Sequence, residues 1–317
     1  MKRFKNILLV AEDHTFTSEA FAYTLELAEH IGASLSIIDV IDRMPQPGYD
    51  DLEDLWSGLR IEQIQRIAGG DVNKAGPIVI GVGTRFIEII RRVLLEGYDL
   101  VVIPDAAEGY SSTTLHLLRK CPVPVWVMKP GHSGPRRILA AVDPDPTDPV
   151  RDSLNTLVMD LAISIAHRHD GELSIVHAWR LPGEATLRDA VALGHPNASV
   201  KIALARSAAE ESARRNIDIL LDGYDLNSLE HRVHLVNGSA GDVVPDVAAS
   251  CRTDLIVMGT VARIDTPGLF IGPHAETIIE NVCIPILAVK PIGFTTPVQL
   301  PNSGQLPAES DSDQESG

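Results

Sequence analysis

Half of this 317-residue chain is a restatement of the other half. Ile7-Leu8-Leu9 recurs as Ile138-Leu139-Ala140, and Gly32-Ala33-Ser34-Leu35-Ser36-Ile37 recurs as Gly171-Glu172-Leu173-Ser174-Ile175-Val176. Gly83 returns as Gly238, Asp99 to Ile103 as Asp254 to Met258, and Pro124 to Pro130 as Pro285 to Pro291. The separation between partners grows along the chain in steps that fall between matched segments and never within one. Insertions therefore fall in helices and loops between matched strands, as expected of two copies of one domain joined in tandem. A prior of about 150 residues per domain agrees.

Within each copy, short apolar runs alternate with stretches of helical spacing. Strands are predicted near 5–11, 34–40, 77–81, 99–103 and 124–128, and again near 138–142, 172–178, 232–236, 254–258 and 285–289. Ser18 to His30 carries Phe21, Leu25 and Ala28 on one helical face; Leu154, Leu157, Val158, Leu161, Ile165 and Ala166 do the same in the second copy. Alternation of this kind means right-handed crossovers and a parallel sheet, so the fold class is α/β, two tandem doubly wound parallel-sheet domains. The loop-forming cluster Lys129 to Pro135 marks the join. The organisation predicted is a first domain at 1–130, a linker at 131–135, a second domain at 136–292 and, at 293–317, an acidic tail read as disordered because its charges lack apolar partners.

The segment Asp254 to Lys290 is the richest in chemistry. An apolar strand ends at Gly259, and a loop of about fourteen residues follows, where two to six is usual for such a connection. Ala275 to Val282 then reads as a short helix, and Ile286 to Val289 as the last strand. Ligands of open parallel sheets sit beyond the carboxyl ends of the strands, where this loop must lie. Glycines there let backbone N–H groups approach an anion without a side chain between them.

Gly259 and Gly272, with the order of strands around them, resemble the universal stress protein family, whose nucleotide-binding members carry G-x2-G-x9-G-(S/T) after the fourth strand. Here Ala262 stands at the second glycine and Pro273 at the Ser/Thr position. Proline removes an N–H and a hydroxyl that could serve a phosphate. The resemblance covers about residues 3–292, and with the segment His116 to Trp126 it is to the tandem, two-copy (E-type) branch. It implies a Rossmann-like sheet order of 3-2-1-4-5, fifth strands that pair, and an adenine nucleotide, ATP or AMP, in the second domain. By the same resemblance Asp143 contacts the base side of that ligand, while Ala178 and Met258 are apolar base contacts. Arg263 and His274, in or beside the loop, are candidates to replace the lost donors. In the first copy Glu12 or Asp13 stands for Asp143, and the shortened loop from Pro104 to Thr114 has lost most of its glycines, so that copy is read as degenerate, without a phosphate loop.

The two fifth-strand segments, Val123 to Pro130 and Ile284 to Pro291, would be apolar sheet edges. A tandem chain can pair them internally as a pseudo-dimer, and a further homodimer of tandems stays open. A net charge of −16 argues against nucleic acid as a partner. No run approaches the ~18 apolar residues of a membrane span, and the start of the chain shows no signal pattern, so a cytoplasmic protein is expected. Cys121, Cys251 and Cys283 have no C-x2-C spacing; each is expected to be a reduced thiol serving as a small buried hydrophobe. His231 and His234, three apart along a strand, cannot chelate one ion, and no metal is expected. The G-x-S-x-G, H-E-x-x-H and P-loop signatures are absent. The function expected is a non-enzymatic stress-response protein that binds a nucleotide-like ligand, with protein partners unknown. The alternatives are a ligand-free scaffold or adaptor and, less favoured, a weak ATPase.

Overall fold

The computed structural model describes residues 4–12, 14–43, 50–131, 134–193, 195–260 and 271–300. Strands β1 (Asn6–Val10), β2 (Ser34–Ile41), β3 (Ile78–Val82), β4 (Leu100–Pro104) and β5 (Val125–Met128) belong to the first half. The second half carries β6 (Arg137–Ala141), β7 (Glu172–Trp179), β8 (His231–Asn237), β9 (Leu255–Gly259) and β10 (Ile286–Val289). Around them run helices α1 (Ser18–Ile31), α2 (Asp50–Ala68), α3 (Arg85–Glu96) and α4 (Ser112–Lys120). Helices α5 (Pro149–Arg168), α6 (Glu184–Ala192), α7 (Ala198–Leu221), α8 (Ala240–Ser250) and α9 (Pro273–Asn281) follow in the second half.

The helix ends follow local chemistry. Thr17 caps α1 by accepting from the Ala20 N–H, and Gly32 closes it in the left-handed region at φ 70°. The apolar face of α5 is legible from Leu154, but the helix begins five residues earlier. Asp148 accepts from the N–H groups of Val150 and Arg151, and Pro149 occupies the first helical position, where no N–H is needed.

Each half is parallel in the order 3-2-1-4-5, and the two halves form one ten-stranded sheet, β3-β2-β1-β4-β5-β10-β9-β6-β7-β8. The join is antiparallel, with Val125, Trp126 and Val127 opposite Ala288, Leu287 and Ile286. The two fifth strands thus lie at the centre of the sheet, and the edges are β3 and β8. One apolar core lies on each face of the sheet, and each draws buried residues from both halves. Further contacts cross the join: Arg119 to Glu276 at 2.6 Å, and the Tyr110 hydroxyl to the Ile284 carbonyl at 2.7 Å.

Two expectations need amendment. Of the cysteines only Cys121 is buried; Cys251 is half-buried at the end of α8 and Cys283 is exposed after α9, because both fall where a helix gives way to a turn. Residues 293–300, assigned to the tail by composition, carry contacts: Val298 packs against the core and the Gln299 carbonyl accepts from Arg91 Nε at 3.2 Å. The rest of the expected acidic tail, 301–317, lies outside the described residues. Among those described, no helix is long and apolar enough to cross a membrane.

Candidate ligand-binding site

Beyond the carboxyl ends of β6, β7 and β9 lies a cavity of about 700 Å³. Its floor is apolar, built from Val176, Ala178 and Met258 of the strands, Leu154 and Val158 of α5, and Val244 of α8. Its rim is polar, with Asp143, Arg151, Arg180, Glu184 and His274.

Asp143 sits where β6 ends. Asn155, buried in α5, holds its backbone from both sides, accepting from the Asp143 N–H at 2.8 Å and donating to the Asp143 carbonyl at 2.9 Å. The Asp143 carboxylate is turned to the rim, 62% exposed and 3.3 Å from the Arg151 guanidinium. Arg151 also lies within 4 Å of Asp145 and Asp148, so one cation organises three acids at the start of α5. Beneath them His177 is buried, with Nδ1 3.2 Å from the Val142 carbonyl oxygen. Burial pushes its pKa below the ordinary imidazole value, more than Asp143 pulls it up, so the ring is neutral at pH 7.

The end of β9 meets the start of α9 here. Thr260 continues the strand by donating its N–H to the Val289 carbonyl, and its own carbonyl accepts the Gly272 N–H at 2.7 Å. That glycine donor is consequently spent within the loop, and Pro273 has none to offer. Helix α9 starts without a side-chain cap, and His274 and Ala275, whose N–H groups head its first turn, line the cavity. The His274 ring is tethered, with Nδ1 3.3 Å from Ser239 Oγ. Gly259 is needed for packing: an ideal Cβ there would stand 2.6 Å from Leu154 Cδ2. Among the described residues Gly272 has room, its nearest neighbour being the Thr260 carbonyl oxygen at 3.7 Å.

The structure therefore brings Asp143, Ala178, Met258, Gly259, Gly272 and His274 to one cavity. Arg263, with Ala262, lies outside the described residues. Sequence reasoning missed Arg151, Asn155, Arg180 and Glu184. Asn155 carried a signal, since it is a polar residue within the buried face of an apolar helix, and Arg180 directly follows the last residue of β7, beyond its carboxyl end.

The same end of the first half is built differently. Asp39 of β2 and Arg60 of α2 form a buried ion pair at 2.6 Å, and Arg60 also donates to the Ala11 carbonyl. Arg85 pairs with Glu12 at 2.8 Å and donates to the Val40 carbonyl. Of the two candidates for the counterpart of Asp143, Glu12 is thus committed to Arg85, and Asp13 lies outside the described residues. After β4 the short loop closes on its own anion. The buried Asp105 carboxylate accepts from the N–H groups of Ala106 and Ser111 at 2.8 and 2.9 Å. Buried Lys129 ties that loop as well, donating to the carbonyls of Ala106 and Gly109.

The fold and site define a tandem, doubly wound α/β protein with an open cavity at the strand ends of its second half. A family model described as the universal stress protein family matches residues 3–129 and 135–290. The chain belongs to the universal stress protein family, in tandem form. It is 28% identical over 320 residues to Universal stress protein E of Escherichia coli (strain K12), covering 95% of this chain and 98% of that protein. It is 29% identical over 206 residues to the Universal stress protein E homolog of Haemophilus influenzae, covering 61% of this chain and 62% of that one. Among solved structures, a universal stress protein from Archaeoglobus fulgidus superposes with a TM-score of 0.60 at 17% identity, over 90% of this chain and 98% of that one. A functionally unknown protein from Pseudomonas aeruginosa PAO1 does so with a TM-score of 0.63 at 21% identity, over 92% and 94%. These two share the fold.

Proposed function

We propose that this chain is a cytoplasmic, non-enzymatic regulator of the stress response that binds a nucleotide-like ligand, an adenine nucleotide such as AMP or ATP, in its second half alone. The observation that carries this reading is the cavity of about 700 Å³ at the ends of β6, β7 and β9, a volume in the range of small-molecule sites. Its apolar floor at Ala178 and Met258 suits a purine face. The first turn of α9 and the guanidinium of Arg180 suit an anion. With the Gly272 N–H spent on Thr260 and no N–H at Pro273, these two positions offer a phosphate chain no backbone donor.

Binding rather than turnover is supported by how the polar groups are engaged. Asp143 is held by Asn155 and paired with Arg151, and the neutral His177 ring is set against the Val142 carbonyl. The first half is read as structural, because Arg60, Arg85 and Asp105 cross its strand ends.

Native mass spectrometry of the gently purified full chain tests this, followed by denaturation and identification of any molecule released. One AMP or ATP per chain, carried from the cell or bound on titration, is the expected result. A chain that is empty and stays empty in millimolar AMP and ATP would overturn the reading in favour of an adaptor acting through its surfaces.

A further inference from the structure

A second cavity of about 280 Å³ lies away from the strand ends just described, at the start of β6 and β7 and the edge strand β8. It is lined by Cys251, Ser174 and Thr253, with Arg137, Arg232 and Arg252 flanking them. Register explains the meeting. Ser174 on β7 pairs with Arg232 on β8, and Val176 with His234, so Ser174 and His234 are diagonal neighbours on one face of the sheet. Helix α8 packs on that face and delivers Cys251 at its last turn, where Arg252 turns the chain away in the left-handed region at φ 51°.

The three side chains form a closed triangle. Cys251 Sγ is 3.6 Å from His234 Nε2 and 3.6 Å from Ser174 Oγ, and Ser174 Oγ is 3.4 Å from His234 Nε2. A cysteine sulfur beside an imidazole nitrogen can pass its proton to it and act as thiolate, the nucleophilic form. Burial, with Arg232 nearby, holds the His234 pKa below its ordinary value, so at neutral pH the ring has a lone pair to accept that proton. The carbonyl end of α8 opposes negative charge on sulfur. Six charged or titratable groups line the cavity with Cys251: Arg137, Glu172, Glu230, His231, Arg232 and Arg252. Arg137 is paired with Asp254 at 2.7 Å, and Arg232 with Glu230 at 3.7 Å.

Thr253 is 7% exposed, and its Oγ1 is buried without a hydrogen-bond partner among the described residues. Elsewhere Cys121 is sealed in the core, its thiol pushed up to about 12 by burial, and Cys283 lies on the surface.

We infer that Cys251 is a reactive thiol, with His234 as its proton acceptor, whose co-reactant is a small hydroperoxide entering the cavity beside Ser174 and Thr253. The Cys251 proton moves to His234 Nε2, and sulfur attacks the outer peroxide oxygen. The S–O bond forms as the O–O bond breaks, and the leaving alkoxide or hydroxide recovers the proton from His234. Sulfur is oxidised by two electrons to the sulfenic acid and the peroxide is reduced to alcohol or water.

The test uses the full chain, with Cys283 as internal reference in the same molecule. Hydrogen peroxide is added at one equivalent with a dimedone trap, in parallel with iodoacetamide labelling across pH 6–9, and both are read by peptide mass spectrometry. The expected result is a trapped adduct on Cys251 at least tenfold above Cys283. In H234Q the Cys251 rate should fall at least tenfold with Cys283 unchanged, and its pH profile should move toward that of Cys283. Cys251 reacting no faster than Cys283 with peroxide, or a Cys251 rate untouched by H234Q, would overturn the inference.

Discussion

Lys290, at the end of the last strand, donates to the carbonyl oxygen of Leu118, 2.6 Å away in the other half of the chain. Its nitrogen also donates to Thr260 Oγ1. One side chain thus joins the junction of the two halves to the strand end that opens onto the ligand cavity. The nitrogen is buried, which disfavours its charged form and pushes its pKa down to about 7.

A pH dependence of stability follows. Unfolded, a lysine holds its proton up to about pH 10.4, whereas folded Lys290 releases it near 7, so the unfolded state binds more protons between those values. Stability should therefore rise with pH above 7, with a slope approaching about 1.4 kcal/mol per pH unit from this residue. The buried Cys121 thiol, pushed up to about 12, acts in the opposite sense only above pH 9. Urea unfolding at pH 7 and 9 checks this: K290M should flatten the rise, and an unchanged slope in K290M would refute the assignment.

Asp105 is expected to be structural. D105A removes the acceptor for the Ala106 and Ser111 N–H groups and should cost about 1–3 kcal/mol in denaturant unfolding. Nucleotide titration of the second half should be unaffected. A variant as stable as the parent would show that the loop does not depend on its internal anion.

Gly259 and Gly272 should part company. G259A places a methyl against Leu154, which lines the cavity, and is expected to lower stability by about 1–3 kcal/mol. G272A, whose new Cβ meets no described residue closer than the Thr260 carbonyl oxygen at 3.7 Å, should stay within about 0.5 kcal/mol of the parent. In an L154A background the further loss caused by G259A should shrink, measured by thermal unfolding of both single variants and the double variant; equal losses in the two glycine variants would contradict the packing role.

The tandem organisation, the α/β class and most strand positions were legible in the sequence, because apolar runs, helical spacing and glycine or proline stops are local signals. Asp143, Ala178, Met258 and Gly259 could be placed at strand ends for the same reason, with Gly272 and His274 beside them in the loop. The tertiary structure alone decided which side chains meet there. Asn155 clasps Asp143 only because α5 lies against the end of β6, and Arg60 reaches Asp39 and the Ala11 carbonyl from a helix whose sequence carries no mark of that destination. Cys251 finds His234 and Ser174 only when β7 and β8 take one register and α8 ends over them. The two apolar fifth strands announced in sequence that each needed a neighbour, and their antiparallel pairing supplied it from within the chain. Contacts of this kind join residues far apart along the backbone, so the spacing of neighbours in sequence cannot encode them; only the packed arrangement of strands and helices does.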